Sequence, residues 1–346
     1  MSRYRFDQKI ALEGWVSLQV VNGDGSVDQE LDPFKNVILD QGLDNIADGA
    51  DNYATSIGWR GDQEYTAGTH AGLVIGVGDT TPSRTDSGLE NQKATIDNIL
   101  QVDGRNFPAN GSDPYTWNYG AQFETNKGDL DSSTDGDYKE LGLIFGGYGV
   151  TNKIGTRTLI KDSNGDPTSI SVASDQKLRV WYYLYVTVTP STTASDTFDI
   201  TNLGTFGYTY QPINVSQGFA SGGVSPDFFD LSINSSAGAQ ASIGFFKIDR
   251  DATLTWPDIG ASWDGLGGNE LASFGFKDLV NASVSKVDVG VYDLTMTWGT
   301  NEANGTRIDG IRGDGTWAAL FDEANAFTKD DLHELTITWR LTYTRP

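Results

Sequence analysis

The sequence predicts an all-β fold: two antiparallel β-sandwich lobes of jelly-roll type with one or two short helices. Three observations predict it. Apolar and polar residues alternate in many short segments, most clearly at residues 177–188 and 335–344, and a period of two buries one strand face and wets the other. Forty-one glycines, with frequent Asn, Asp, Ser and Thr, supply the tight turns that join such segments. A hydrophobic content of 38% over 346 residues is enough for one large or two medium cores.

Taken in order, residues 13–31 read as a hairpin, with Val16, Leu18 and Val20 on one face and Asn22, Gly23, Asp24 and Gly25 turning toward Val27 and Leu31. Residues 36–48 are predicted helical: Leu39, Leu43, Ile46 and Ala47 fall at helical spacing, Asn36 can cap the start and Gly49 can end it. Gly42 lies inside that helix, where glycine costs about 1 kcal/mol relative to alanine. Residues 49–70 form a long polar connection carrying Tyr53, Trp59 and Tyr65. Strands follow at 73–77, 96–102 and 116–124, the last with Trp117, Tyr119, Ala121 and Phe123 on its buried face. An acidic loop at 128–137 precedes a strand at 138–145. Asp129, Asp131, Asp135 and Asp137 crowd this loop, but it lacks the twelfth-position glutamate and flanking helices of a calcium hand, so it reads as a solvated turn.

Residues 156–188 read as a β-hairpin pattern: a β-rich run, a turn at Asn164, Gly165, Asp166 and Pro167, a second run, a polar break at 173–177 and a long strand. On that strand Val180, Tyr182, Leu184, Val186 and Val188 alternate with Trp181, Tyr183, Tyr185 and Thr187, so an aromatic face is left that needs cover from the other lobe or from another subunit. The polar stretch 190–196 is the predicted linker, which divides the chain into an N-terminal domain, 1–192, and a C-terminal domain, 197–346. In the second half, strands are predicted at 198–203, 205–210, 228–233, 241–248, 283–298 and 335–343. The terminal strand places Leu335, Ile337, Trp339, Leu341 and Tyr343 on one face and Thr336, Thr338, Arg340, Thr342 and Thr344 on the other.

Composition excludes several chemistries. No cysteine is present, so there are no disulfides, thiolate metal sites or cysteine nucleophiles. His70 and His333 are the only histidines, and neither stands in a nucleophile setting. The step Gly76, Val77, Gly78 runs into Asp79, Thr80, Thr81 and Pro82 rather than a helix, so it is no phosphate loop. Forty-seven acidic against twenty-four basic residues give a net charge of −23, which repels nucleic acid and anionic lipid. No apolar run suits a signal core or a membrane span. Paired carboxylates, as in glycoside hydrolysis, are the remaining catalytic option, yet with 47 acids a pair is certain to exist and carries no information.

Four stretches carry a resemblance. Residues 36–46 look like a helix opening of the form N-x-I-L-D-x-G-L-D. Residues 74–83 match an I-G-x-G-x-x-x-P step, followed by Gly88, Leu89 and Glu90. Lys139, Glu140, Leu141, Gly142 and Leu143 form the third, and residues 156–184 the fourth. In order and spacing, over about residues 10–190, they resemble the tail and tail-fibre structural proteins of tailed bacteriophages. Thr156 departs from that pattern, where a serine before the arginine is usual.

The resemblance implies a virion structural protein of the phage tail, made in the host cytoplasm, that works by assembly and host-surface binding rather than catalysis. Its implied partners are further copies of itself, neighbouring tail proteins and a host cell-surface glycan, with no cofactor, nucleic acid or membrane insertion. Candidate contact residues are the loop tryptophans Trp59, Trp256 and Trp263 and the strand aromatics Trp181, Tyr183 and Tyr185, whose flat apolar rings suit sugars or a neighbouring subunit. The rival readings are a capsid decoration or head-fibre protein and a carbohydrate-binding module or polysaccharide depolymerase.

Overall fold

A computed structural model describes residues 2–47, 72–96, 99–106, 116–144, 154–189, 194–200, 204–212, 243–248, 271–274, 281–300, 307–308, 310–313, 317–321, 327–328, 331–332 and 334–346. Among them the chain is mostly β with two short helices, as the alternating pattern predicts. Chain contacts define two units. The first comprises Ala11–Phe107, Thr116–Thr187 and Tyr343–Pro346; the second comprises Met1–Ile10, Pro108–Tyr115 and Val188–Thr342.

The elements are β1 (Ser2–Val21), β2 (Val27–Ile38), α1 (Asp40–Ala47), β3 (Gly72–Gly76), β4 (Gln92–Ile96), β5 (Ile99–Asn106) and β6 (Thr116–Glu124). Next come α2 (Ser132–Asp135), β7 (Glu140–Ile144), β8 (Thr156–Leu159) and β9 (Lys177–Thr189). The first unit's strands form one hydrogen-bonded sheet in the order β5-β6-β9-β1-β2-β8-β7-β3-β4. Along β1, Ile10, Leu12, Val16, Leu18 and Val20 are buried while Glu13, Trp15, Ser17 and Gln19 are half-buried, the period-two pattern made physical. Strands β3, β7 and β8 are buried on both faces, so the middle of this sheet is a true interior layer.

Three local expectations change. The helix starts at Asp40, not near Asn36, because residues 36–38 still belong to β2: Asn36 pairs with Gly14, and Val37 and Ile38 pair with Arg157 and Thr156. Gly49, its expected end, lies outside the described residues. The stretch 156–188 is not one hairpin, since β8 pairs with β7 and β2 whereas β9 pairs with β6 and β1. The turn at residues 162–166 closes a short antiparallel contact, Lys161 bridging Pro167 and the Thr168 amide donating to the Ile160 carbonyl at 2.8 Å, before Ile170 bridges to Tyr138. The acidic loop contains α2, with Asp131 capping it by accepting the Ser133 amide at 2.9 Å.

Gly42 has a packing reason. The Gly155 carbonyl lies so close to it that any Cβ would collide with backbone. This contact, with the Leu39 amide donating to the same Gly155 carbonyl at 2.9 Å, seats α1 on the sheet.

The second unit holds β10 (Ala194–Ile200), β11 (Gly204–Pro212), β12 (Ile243–Ile248), β13 (Leu271–Phe274), β14 (Asn281–Asp288) and β15 (Val291–Trp298). It also holds β16 (Arg307–Ile308), β17 (Gly310–Gly313), β18 (Trp317–Phe321), β19 (Phe327–Thr328) and most of β20 (Leu335–Thr344). One six-stranded sheet runs β10-β11-β18-β17-β12-β13, and β15 pairs antiparallel with both β14 and β20. The predicted strand 283–298 is thus a hairpin, broken where Gly290 takes φ 65° and the Asp288 carboxylate accepts the Val289 amide at 2.7 Å. The predicted strand 228–233 lies outside the described residues. On β20, Leu335, Leu341 and Tyr343 are buried and Thr338, Arg340, Thr342 and Thr344 are half-buried, as the alternation requires, whereas Thr336, expected on the wet face, is buried with its hydroxyl 3.1 Å from that of Thr297.

Candidate functional site

The four stretches that carry the resemblance meet in the first unit, and a buried ion pair lies at their junction. Glu140 on β7 is 0% exposed and Arg157 on β8 is 4% exposed. Glu140 stands opposite Leu159, so Arg157, two residues away, is its diagonal neighbour on the same face. Arg157 Nε donates to Glu140 Oε2 at 3.0 Å and Nη2 lies 2.9 Å from the same oxygen. The remaining lone pairs of Glu140 accept backbone amides: Gly78 at 3.1 Å and Asn91 at 2.7 Å on Oε1, and Glu90 at 3.0 Å on Oε2. All three donors belong to the connection between β3 and β4, residues 77–91.

Arg157 grips the same connection from within. Its Nη1 donates to Asp86 at 2.5 Å, and its Nη2 donates to the Thr80 carbonyl at 3.2 Å and the Thr80 hydroxyl at 3.1 Å. Burial works against this cation, but Asp86 and Glu140 outweigh it and hold the guanidinium above its usual basicity. Glu90 closes the loop from its far side, accepting the Asp79 and Thr80 amides at 2.8 Å each, and the Thr80 amide above all holds its carboxyl below the usual range. Apolar cover comes from Leu39, Val74, Ile144 and Ile154, with Val37 and Leu89 packed against them. The Asp40 amide donates to the Arg84 carbonyl at 2.8 Å, and Gln41 Nε2 to the Ile154 carbonyl at 2.7 Å. Arg345 also donates to the Ile38 carbonyl at 2.6 Å and pairs with Asp40.

The opposite face of the same strands is organised by Tyr182 of β9. Its hydroxyl accepts Asn36 Nδ2 at 2.6 Å, and a Cβ at Gly14 would collide with both partners. Burial pushes the Tyr182 phenol up to about 12, with hydrogen bonds to Thr156 and Asn36 opposing that rise. Residues from the first and fourth resembling stretches therefore touch here.

Of the expected contact residues, Trp181, Tyr183 and Tyr185 are half-buried on the outward face of β9, while Leu178, Val180, Tyr182 and Leu184 point inward and are buried. The Arg179 guanidinium sits 5.8 Å from the Trp181 ring. Beside it, Glu124 of β6 binds Lys177 Nζ and Arg179 Nε, each at 2.9 Å. Burial opposes ionisation of Glu124, but these two cations prevail and keep its carboxyl below the usual range. Trp59, Trp256 and Trp263 lie outside the described residues, as do His70 and His333.

Sequence reading passed over the roles of Glu140, Arg157, Asp86 and Glu90. One signal was present: a glutamate and an arginine each stand beside apolar or small residues in short strands, at Glu140-Leu141-Gly142-Leu143 and Thr156-Arg157-Thr158-Leu159, and charges in such runs are buried only when paired. Among the described residues no group of three or more His, Cys, Asp or Glu side chains could hold a metal ion. Among the same residues no helix is long and apolar enough to cross a membrane. No family model, no curated protein and no solved structure matches this chain.

Proposed function

We propose that this chain is a structural virion protein of a tailed bacteriophage, associated with the tail, that acts by assembly and host-surface binding and not by catalysis. The observation that carries the reading is the convergence of all four resembling stretches on one buried framework, where Glu140, Arg157, Tyr182 and Asn36 hold strands and a loop in place. Motifs whose residues are spent on backbone amides and on each other fit a scaffold better than a reaction centre. The finer architecture, two jelly-roll-like sandwich lobes, belongs to the same proposal, as do the partners: further copies, neighbouring tail proteins and a cell-surface glycan.

Mass spectrometry of purified virions, with antibody against residues 197–346 located by electron microscopy, tests the reading. Label on the tail supports it. Label on the head favours a decoration or head-fibre protein, and absence from virions removes the proposal. A second reading, a glycan-binding protein, is favoured by the half-exposed row Trp181, Tyr183 and Tyr185. Glycan arrays with wild-type protein and Trp181→Ala test it, and loss of a specific signal in the variant is the expected result.

A further inference from the structure

The half-buried row Trp181, Tyr183 and Tyr185 does not stand alone on its side of the sheet. Strand β9 lies between β6 and β1. A Cβ at Gly14 would collide with the Tyr182 hydroxyl, so the buried residues of β1 and β9 share one side. Half-buried Trp15 of β1 therefore shares the other side with Trp181. Across β6, Gln122 stands opposite Trp181, and Gly120, without a side chain, stands opposite Tyr183. From Trp181 to Tyr185 the row runs about 14 Å, and β1 sets Trp15 to its side at a strand spacing of about 4.8 Å.

Both tryptophans are held by charges that have partners of their own. Trp15 donates its indole N–H to Glu13, which binds Lys35 Nζ at 2.9 Å, and that ammonium lies 5.2 Å from the Trp15 ring centroid. Arg179, beside the Trp181 ring, is bound by Glu124, which also takes Lys177. Glu30, opposite Gln19, accepts its side-chain amide at 2.9 Å. On this face Lys35, Lys177 and Arg179 thus stand against Glu13, Glu30 and Glu124, which leaves it locally neutral in a chain that carries −23. Rings fixed in this way lose less entropy when a ligand settles on them.

We propose that this face, from Trp15 on β1 through Trp181, Tyr183 and Tyr185 on β9 to Gln122 on β6, binds an extended neutral polysaccharide, the rings stacking on its sugars and the Gln122 amide bonding a hydroxyl. Charge selects this occupant. Six charged side chains set among the rings do not suit the core of a contact with another protein subunit, where charges are depleted. Local neutrality offers nothing to an anionic polymer, which the net charge of −23 repels at longer range. Aromatic rings with a few polar groups beside them match a sugar, apolar on its C–H faces and polar at its hydroxyls. The proposal rests on the glycan-binding reading and adds to it the charge and extent of the ligand and the residues Trp15 and Gln122.

Isothermal titration of the full chain with hydroxyethylcellulose, galactomannan and dextran as neutral probes and alginate as the acidic one, at low and high salt, tests the proposal. Wild type is expected to bind a neutral probe with the same affinity at both salt concentrations and to leave alginate unbound, since no ion pair with the ligand is formed. Trp15→Ala and Tyr185→Ala are expected to weaken binding at least about tenfold, Gln122→Ala about threefold, and the control Lys93→Ala, exposed on β4, less than about twofold. Melting curves check that each variant is folded; where Trp15→Ala is not, Gln122→Ala carries the same test. No binding to any neutral probe, or salt-sensitive binding to alginate alone, overturns the proposal, and so does a folded Trp15→Ala that binds like wild type. If Trp15→Ala and Gln122→Ala both bind like wild type while Trp181→Ala does not, the proposal fails and the glycan-binding reading stands on the β9 row alone. The virion reading is tested separately, on virions.

Discussion

Two arginine–carboxylate pairs in this chain use the same chemistry in different surroundings. Arg157 and Glu140 are 4% and 0% exposed, and every remaining polar direction is filled by loop amides, Thr80 and Asp86. Arg340 and Asp293 form a two-bond fork at 2.6 Å per bond between β15 and β20, with side chains 20% and 18% exposed. Threonine pairs flank the second fork, Thr295 with Thr338 at 3.2 Å and Thr297 with Thr336 at 3.1 Å. The first pair organises a loop from inside; the second sits on a strand face that its ladder already holds together. The difference teaches that the value of a pair lies in what loses its partner when the pair is broken, and not in the attraction itself.

That contrast can be broken most decisively at Arg157. Arg157→Leu leaves Glu140 buried without its cation and releases Asp86 and Thr80, and chemical denaturation should show a loss of about 3–5 kcal/mol. A loss below about 1 kcal/mol would put the buried pair in the same class as the Arg340–Asp293 fork.

Tyr182, on the other face of the same strands, sharpens the comparison through pH. Its phenol titrates at an ordinary value of 10.0 when unfolded and at about 12 in the fold. The folded state therefore holds its proton more tightly, so this stabilisation is complete below pH 10 and is lost as pH rises through about 12. Tyr182 alone accounts for about 2–3 kcal/mol over that interval. Denaturation between these pH values should show a shallower alkaline loss in Tyr182→Phe than in wild type; equal slopes would contradict the assignment.

Gly42→Ala tests the seat of α1 on the sheet. Its new methyl group meets the Gly155 carbonyl, and a drop of about 1–3 kcal/mol in stability is expected, against the gain that alanine brings to an open helix. The smallest effect belongs to the half-buried Arg340–Asp293 fork, whose strands the β15–β20 ladder already holds together. Asp293→Asn keeps the shape and removes the charge, and thermal denaturation should register about 0.5–1 kcal/mol.

Much of the strand layout was legible because alternation reports burial directly: Val16, Leu18 and Val20 on β1, Val180, Tyr182 and Leu184 on β9, and Leu335, Leu341 and Tyr343 on β20 are buried as read, while Thr336, read on the wet face, is buried too. The junction was not legible for the opposite reason. Glu140 and Arg157 violate the rule that charges stay outside, and only their partners in three dimensions make them tolerable. Helix propensity around Asn36 lost to strand pairing with Gly14 and Thr156, a contact between residues far apart in sequence that no local pattern announces. Gly42 argued against a helix until the Gly155 carbonyl explained it. The pairing of β8 and β9 with different neighbours was hidden in the same way, since a turn at Gly165 looks alike whether or not the strands beyond it stay together.

Amide hydrogen exchange at Gly78, Glu90 and Asn91 tests the central claim most directly, that a buried carboxylate holds the 77–91 loop as firmly as the sheet. These three amides should exchange as slowly as those of β3, through opening of the whole unit, and should speed up by several orders of magnitude in Arg157→Leu while Thr81 and Thr85 change little. Rapid exchange of all three in the wild-type protein, at rates like those of the exposed loop tip, would contradict it.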